Sequence, residues 1–102
     1  MQLKPGSRWR SAVCAAEVVV VRPPKVEVQL ECGGHPMIAA GAAPAEGLAL
    51  SEAFSSGVVM GKRYFDEDAG IEVLAAKAGK GSLAVNGRAL TVREAKALPA
   101  SD

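Results

Sequence analysis

Short runs of apolar residues, some continuous and some alternating with polar residues, predict β-strands along the chain. Glu17–Arg22, with the sequence EVVVVR, is a β-branched run typical of a strand with a buried face. Lys25–Glu31, KVEVQLE, has an apolar residue at every second position, which predicts a half-buried strand. Pro23-Pro24 separates the two runs, and we expect the second strand to run antiparallel to the first. Similar short runs predict further strands over 8–10, 62–65, 71–76 and 82–85.

The segments between these runs carry turn and linker signals. Cys32–Met37, CGGHPM, is predicted to be a glycine-rich turn, and the low-complexity stretch 38–47 to be a linker. Leu48–Phe54 predicts a single helical turn with Ser51 as its cap. Residues 91–98 are predicted to form a helical turn or an irregular tail.

Two stretches of the chain can be laid over each other. Gly6–Met37 and Gly61–Leu90 both begin with a glycine, a basic residue and an aromatic residue, which is Trp9 in the first copy and Tyr64 in the second. Each copy then has a β-branched strand, a turn, a second strand and an apolar end. The pattern therefore predicts an internal repeat.

Each copy is too short to fold alone. At about 30 residues, it lies below the roughly 40 residues that an unstapled domain needs, so we expect the copies to pack on each other. The predicted division is a first unit over 1–37 that carries both cysteines, a linker with one helical turn over 38–60, and a second unit without cysteine over 61–102.

The glycine, aromatic and apolar frame resembles desulforedoxin, a small rubredoxin-like iron protein that works as a homodimer. The second copy matches that frame at Gly61, Tyr64, Gly70, Val73, Gly79, Gly81, Leu83, Gly87 and Leu90. The first copy matches at Gly6, Trp9, Val18, Val20, Leu30, Cys32, Gly34 and Met37. The resemblance implies an all-β fold, in which two small antiparallel desulforedoxin-like units pack as an intrachain pseudo-dimer.

The resemblance also implies that most of the family's metal ligands are gone. The four thiolate positions of the family hold Ser11, Cys14, Cys32 and Gly33 in the first copy. In the second copy they hold Asp66, Ala69, Val85 and Asn86, which cannot support iron. A covalently joined pair with a Val-rich shared core would make the metal dispensable.

Cys14 and Cys32 are the candidate chemical groups, and on this frame their side chains should lie close together. His35, the single histidine, follows Cys32 by three residues, so Cys14, Cys32 and His35 form a candidate zinc or iron site. Its fourth ligand would be water, a partner's side chain or a second chain. The other readings are buried cysteines that fill the core and a redox-active pair that forms a disulfide. The residues favour no cofactor, with zinc or iron as the alternative.

Composition and charge exclude several classes of function. The 102 residues include 12 basic and 11 acidic ones, so we expect neither nucleic acid nor an anionic membrane as a partner. No run approaches the roughly 18 apolar residues of a membrane span. The N-terminal stretch MQLKPGSRWR lacks the apolar region of a signal peptide, which predicts a cytoplasmic protein with mostly reduced thiols.

These observations predict a protein that is not an enzyme, since one histidine and no Ser/His/Asp set are present. The leading hypothesis is a small accessory protein that binds a protein partner or self-associates. The alternative is a metal-binding or electron-transfer protein that uses Cys14 and Cys32 with His35 or a second chain. A third hypothesis is a thiol switch through a Cys14–Cys32 disulfide.

Overall fold

The computed structural model describes residues 2–44 and 47–93, which form two antiparallel β-sheets. This confirms the predicted all-β class. The strands of the first copy and of the residues just after it are β1 (Arg8–Arg10), β2 (Glu17–Arg22), β3 (Leu30–Cys32), β4 (His35–Pro36) and β5 (Ile38–Ala39). Those of the second copy and of the residues just after it are β6 (Arg63–Asp66), β7 (Ile71–Lys77), β8 (Leu83–Val85), β9 (Arg88–Ala89) and β10 (Thr91–Arg93).

The order of strands in both sheets stays the same when the two copies are exchanged. The six-stranded sheet has the order β10-β6-β7-β2-β1-β5, and the four-stranded sheet has the order β4-β3-β8-β9. The central pairs, β2 with β7 and β3 with β8, each join one copy to the other. Each copy therefore contributes half of both sheets, and neither copy has a sheet of its own.

One hydrophobic cluster includes residues of both sheets. Its members on the central strands of the larger sheet are Val18, Val20, Ile71, Val73 and Ala75, and those on the smaller sheet are Leu30, Cys32, Leu83 and Val85. Burying one such aliphatic side chain contributes about 1.5–3 kcal/mol. Residues of both copies therefore belong to one hydrophobic cluster.

The prediction of a strand over Lys25–Glu31 was wrong. The strand begins only at Leu30, and it pairs with β4 and β8 rather than with β2. After Pro23-Pro24 the chain leaves the larger sheet, and the Lys25 amide donates to the Ala69 carbonyl of the other copy (2.7 Å). Val26, in the alternating run, is exposed.

The strands predicted over 71–76 and 82–85 lie in different sheets and do not pair with each other. The chain crosses between sheets over Gly79–Gly81, so β8 pairs with β3 and β9 and not with β7. The strand β5, Ile38–Ala39, pairs with β1 and lies inside the segment predicted as a linker. Thr91–Arg93 forms β10, and the rest of the predicted helical turn lies outside the described residues.

The predictions for the turn at Ser51 and for Met37 agree better with the structure. A 3₁₀ turn forms over Glu52–Phe54 with Ser51 at its N-cap, although the Ser51 side chain makes no capping hydrogen bond. Met37 is buried, as an apolar end of the repeat should be. In the part of the chain that the structure describes, no helix has the length and apolar character needed to cross a membrane.

Candidate functional site

The two cysteines of the first copy lie next to each other. Cys14 lies in the turn between β1 and β2, Cys32 ends β3, and their Sγ atoms are 3.8 Å apart. Both are free thiols. Cys32 is fully buried in the hydrophobic cluster, whereas Cys14 is half-buried. The prediction that these side chains lie close together agrees with this geometry.

Ser11 holds the turn that carries Cys14. Its Oγ accepts hydrogen bonds from the backbone amides of Val13 and Cys14, both at 3.0 Å, and its own amide donates to the Ala16 carbonyl at 2.9 Å. Ser11 is itself buried. A short hydroxyl side chain that accepts from the following amides is a common device for fixing a tight turn. The position of the Cys14 thiol is therefore set by a small loop that these hydrogen bonds hold.

Part of the wall around the thiols comes from the second copy. The Gly81 amide donates to Cys14 Sγ at 3.4 Å. A Cβ atom on Gly79 would lie 2.5 Å from the Ala16 amide nitrogen and 2.8 Å from Cys14 Sγ, so only glycine fits there. The crossing loop of the second copy thus closes over the thiols of the first.

The segment between the copies packs against the turn that follows Cys32. A Cβ on Gly33, the residue after Cys32, would lie 2.5 Å from a Leu50 methyl group. The Ser51 amide donates to the Gly33 carbonyl at 2.9 Å, and the Ser82 amide donates to the Phe54 carbonyl at 2.8 Å. The segment around the 3₁₀ turn is therefore fastened to the hairpin that carries Cys32.

The two thiols differ in acidity. Burial raises the pKa of the Cys14 thiol, but hydrogen bonds, of which that from Ser11 is the largest, together hold it below its ordinary value. The other hydrogen-bonding groups are the backbone of Ala16, the backbone of Gly81 and the Cys32 thiol. Burial raises the pKa of Cys32 to about 12, and the charge of Cys14 beside it acts in the same direction. The less buried thiol is therefore the more acidic of the two.

His35 lies in β4, where its backbone is paired with Cys32. Its imidazole Nε2 donates to the Ala49 carbonyl at 2.8 Å. Among the described residues, no group of three or more His, Cys, Asp and Glu side chains is placed to hold a metal ion. The structure thus brings together two of the three predicted ligands, and a ligand role for His35 stays a prediction.

An ion pair occupies the equivalent place in the second copy. Asp66 Oδ2 accepts from the Ala69 amide at 2.9 Å, as Ser11 Oγ accepts from the Cys14 amide. Arg88 donates two hydrogen bonds to the same carboxylate, from Nε to Oδ1 at 2.9 Å and from Nη2 to Oδ2 at 2.7 Å. The hydrogen bond from Arg88 holds the pKa of Asp66 below its ordinary value.

Sequence reasoning did not identify Arg88. The repeat offered the signal, because Val85-Asn86-Gly87-Arg88 lies over Cys32-Gly33-Gly34-His35. The turn residues agree in backbone conformation, with φ of 67° at Gly33 and 50° at Asn86. Each copy therefore ties the same turn to the same hairpin, through two thiols in the first and through an ion pair in the second.

Comparison with known proteins identified no relative of this chain. No protein-family model, curated protein or solved structure matches this chain. The desulforedoxin resemblance accordingly stays a prediction, and the function is argued from the site itself.

Proposed function

We propose that this protein is a small non-catalytic accessory module whose Cys14 and Cys32 thiols form a reversible disulfide. The observation that carries the proposal is the Sγ–Sγ distance of 3.8 Å between two free thiols. A disulfide needs about 2.05 Å between the sulfurs, so closure requires a movement of less than about 2 Å.

The difference between the thiols assigns an order to the reaction. A Cys14 thiolate attacks one sulfur of an external disulfide, forms a mixed disulfide and releases one thiolate. Cys32 then loses its proton and attacks Cys14 Sγ, which releases the second thiolate. The net reaction oxidises two thiols of the protein by two electrons and reduces the external disulfide to two thiols.

The environment of Cys32 supports this order. Its pKa is raised to about 12 by burial first and by the charge of Cys14 second. When Cys14 enters a mixed disulfide its charge disappears, so the second of these causes is removed. Cys32 is therefore easier to deprotonate after Cys14 has reacted than before.

The experiment is a reaction with oxidised glutathione, followed by intact mass. The wild-type protein should lose two hydrogen atoms and retain no glutathione. Cys32→Ser should hold one glutathione on Cys14, and Cys14→Ser should react slowly because Cys32 is buried. Equal glutathione uptake by the two variants, or no oxidation of the wild type, would contradict the proposal.

The accessory role extends the same proposal to a protein partner or a second copy. Three residues of the predicted linker have exposed apolar side chains: Leu48 and the consecutive residues Val59 and Met60. This supports contact with another protein, and light scattering of the reduced and oxidised forms tests self-association. A monomer in both states, together with no partner in pull-downs from the native host, would count against this part of the proposal.

A metal bound by the two thiolates is a second candidate, favoured by the same distance. Two thiolates on one tetrahedral zinc, at Zn–S distances of about 2.3 Å, lie about 3.8 Å apart. A four-thiolate iron set does not fit one chain, because Ser11 Oγ already accepts two amide hydrogen bonds and Gly33 has no side chain.

Two chains would supply four thiolates, so metal and dimer should be lost together on Cys14→Ser. Elemental analysis of anaerobically purified protein, with light scattering, tests this candidate. Metal-free monomeric protein would exclude it.

A further inference from the structure

We propose that the outer face of the larger sheet carries a binding site for a small phosphate-type oxyanion. Arg22, Arg63, Arg93 and Glu72 line a cleft of about 490 Å³ there, together with Val21. Three guanidinium groups and one carboxylate leave two positive charges in the lining. The proposal is independent of the thiols.

Strand register brings these side chains together. Arg22 and Glu72 are partners across β2 and β7, and Arg63 and Arg93 are partners across β6 and β10. Like charges directly opposite each other on neighbouring strands destabilise a sheet unless an anion lies between them. Glu72 supplies one anion, and the cleft has room for a second.

Glu72 positions two of the arginines. Its Oε2 lies 3.3 Å from Arg63 Nη1, and its Oε1 lies 3.3 Å from Arg93 Nε. Arg93 also packs over the Phe65 ring, with its guanidinium carbon 4.3 Å from the ring centre. Guanidinium groups held in this way keep other N–H donors for an oxyanion, which they bind in a fork geometry.

Arg22 supplies the third cation. Within residues 2–44 and 47–93, it forms no ion pair and no side-chain hydrogen bond. An adjoining cleft adds Lys25 and the three carboxylates of Asp66, Glu67 and Asp68, so the charge it adds is negative and disfavours an extended anion. The ligand is therefore small, with its negative charge concentrated as in phosphate.

The first copy provides an internal comparison. There Glu17 lies 3.9 Å from Arg8 and 3.9 Å from Lys77, which correspond to two of the three cations of the cleft. Ala40, whose amide donates to the Arg8 carbonyl, stands where the second copy has Arg93. The third cation is missing from that side, so Lys77→Ala removes a positive charge from the equivalent but incomplete place.

The experiment is calorimetric titration of the whole protein with inorganic phosphate and with glycerol phosphate at constant ionic strength. Saturable binding of either is expected, and the pair distinguishes free phosphate from a phosphate ester. Arg22→Ala should weaken binding about tenfold or more, while Lys77→Ala should change it less than about twofold. Unchanged thermal unfolding of Arg22→Ala would show that the variant is folded.

Two results would overturn the proposal. One is the absence of saturable binding of both phosphates to the wild-type protein. The other is an equal loss of affinity in Arg22→Ala and Lys77→Ala, which would indicate attraction by net charge alone. Arg93→Ala gives a second check, since it should weaken binding as strongly as Arg22→Ala.

Discussion

Replacing Gly79 with alanine places a methyl group against the thiol-bearing turn of the other copy. The new Cβ would lie 2.5 Å from the Ala16 amide nitrogen, 2.7 Å from its Cβ and 2.8 Å from Cys14 Sγ. Favourable carbon contacts need about 3.5–4.0 Å, so the loop must move by about 1 Å. The movement would strain the paired hydrogen bonds of Gly79 with Val58, which are 2.9 and 3.2 Å long.

Overpacking of this kind costs about 1–3 kcal/mol, and a weakened hydrogen bond adds about 1 kcal/mol. We therefore expect a loss of about 2–4 kcal/mol in the free energy of unfolding. In urea, with a slope of about 2 kcal/mol per molar, the midpoint should fall by about 1–2 M.

Gly41→Ala is the matched control for this experiment. Gly41 and Gly79 both lack a positive φ, but a Cβ on Gly41 would meet nothing within 4 Å. Its free energy of unfolding should stay within about 0.5 kcal/mol of wild type or rise slightly. If Gly79→Ala unfolded at the same urea concentration as Gly41→Ala, the packing of one copy's loop on the other copy's turn would be refuted.

Three further predictions concern the equivalent turns of the two copies. Ser11→Ala should raise the pKa of Cys14, because it removes the largest hydrogen bond that opposes the effect of burial. Alkylation of Cys14 near neutral pH should then slow. An unchanged rate would contradict the role of Ser11 in lowering this pKa. The lowered pKa of Asp66 adds stability that is present above its ordinary value of 3.8 and lost as the pH falls below it. The difference in Tm between wild type and Asp66→Asn should therefore shrink only below about pH 3.8, and a constant difference would contradict the assignment. Ala69→Cys with Val85→Cys should create a second pair that oxidises within the chain; two thiols that resist oxidation would argue against the equivalence of the copies.

The sequence identified the elements whose signal is local. The β-branched run of Glu17–Arg22 became β2, and the glycine-aromatic openings of both copies became β1 and β6. The alternating run after Pro23-Pro24 wrongly predicted a strand paired with β2, because alternation does not indicate which strand is the partner. Lys25 instead joins the Ala69 carbonyl of the other copy, a long-range contact that no local pattern encodes.

Part of the candidate site could be predicted from the sequence, and part of it depends on long-range contacts. Cys14 and Cys32 could be placed together because the resemblance puts both on turns that face one point, and the structure gives them a 3.8 Å separation. The donor to Cys14 Sγ could not be predicted, since Gly81 comes from the crossing loop of the second copy. Arg88 could not be predicted from metal chemistry, because arginine is not a metal ligand, and the second copy uses an ion pair instead.

The most direct test of the account is a thiol count with peptide mapping before and after oxidation by glutathione. The account predicts two free thiols in the reduced protein and, after oxidation, one disulfide that joins Cys14 to Cys32 within a single chain. Dithiothreitol should restore both thiols. An oxidised protein linked only between chains, or one that keeps both thiols in excess oxidant, would contradict it.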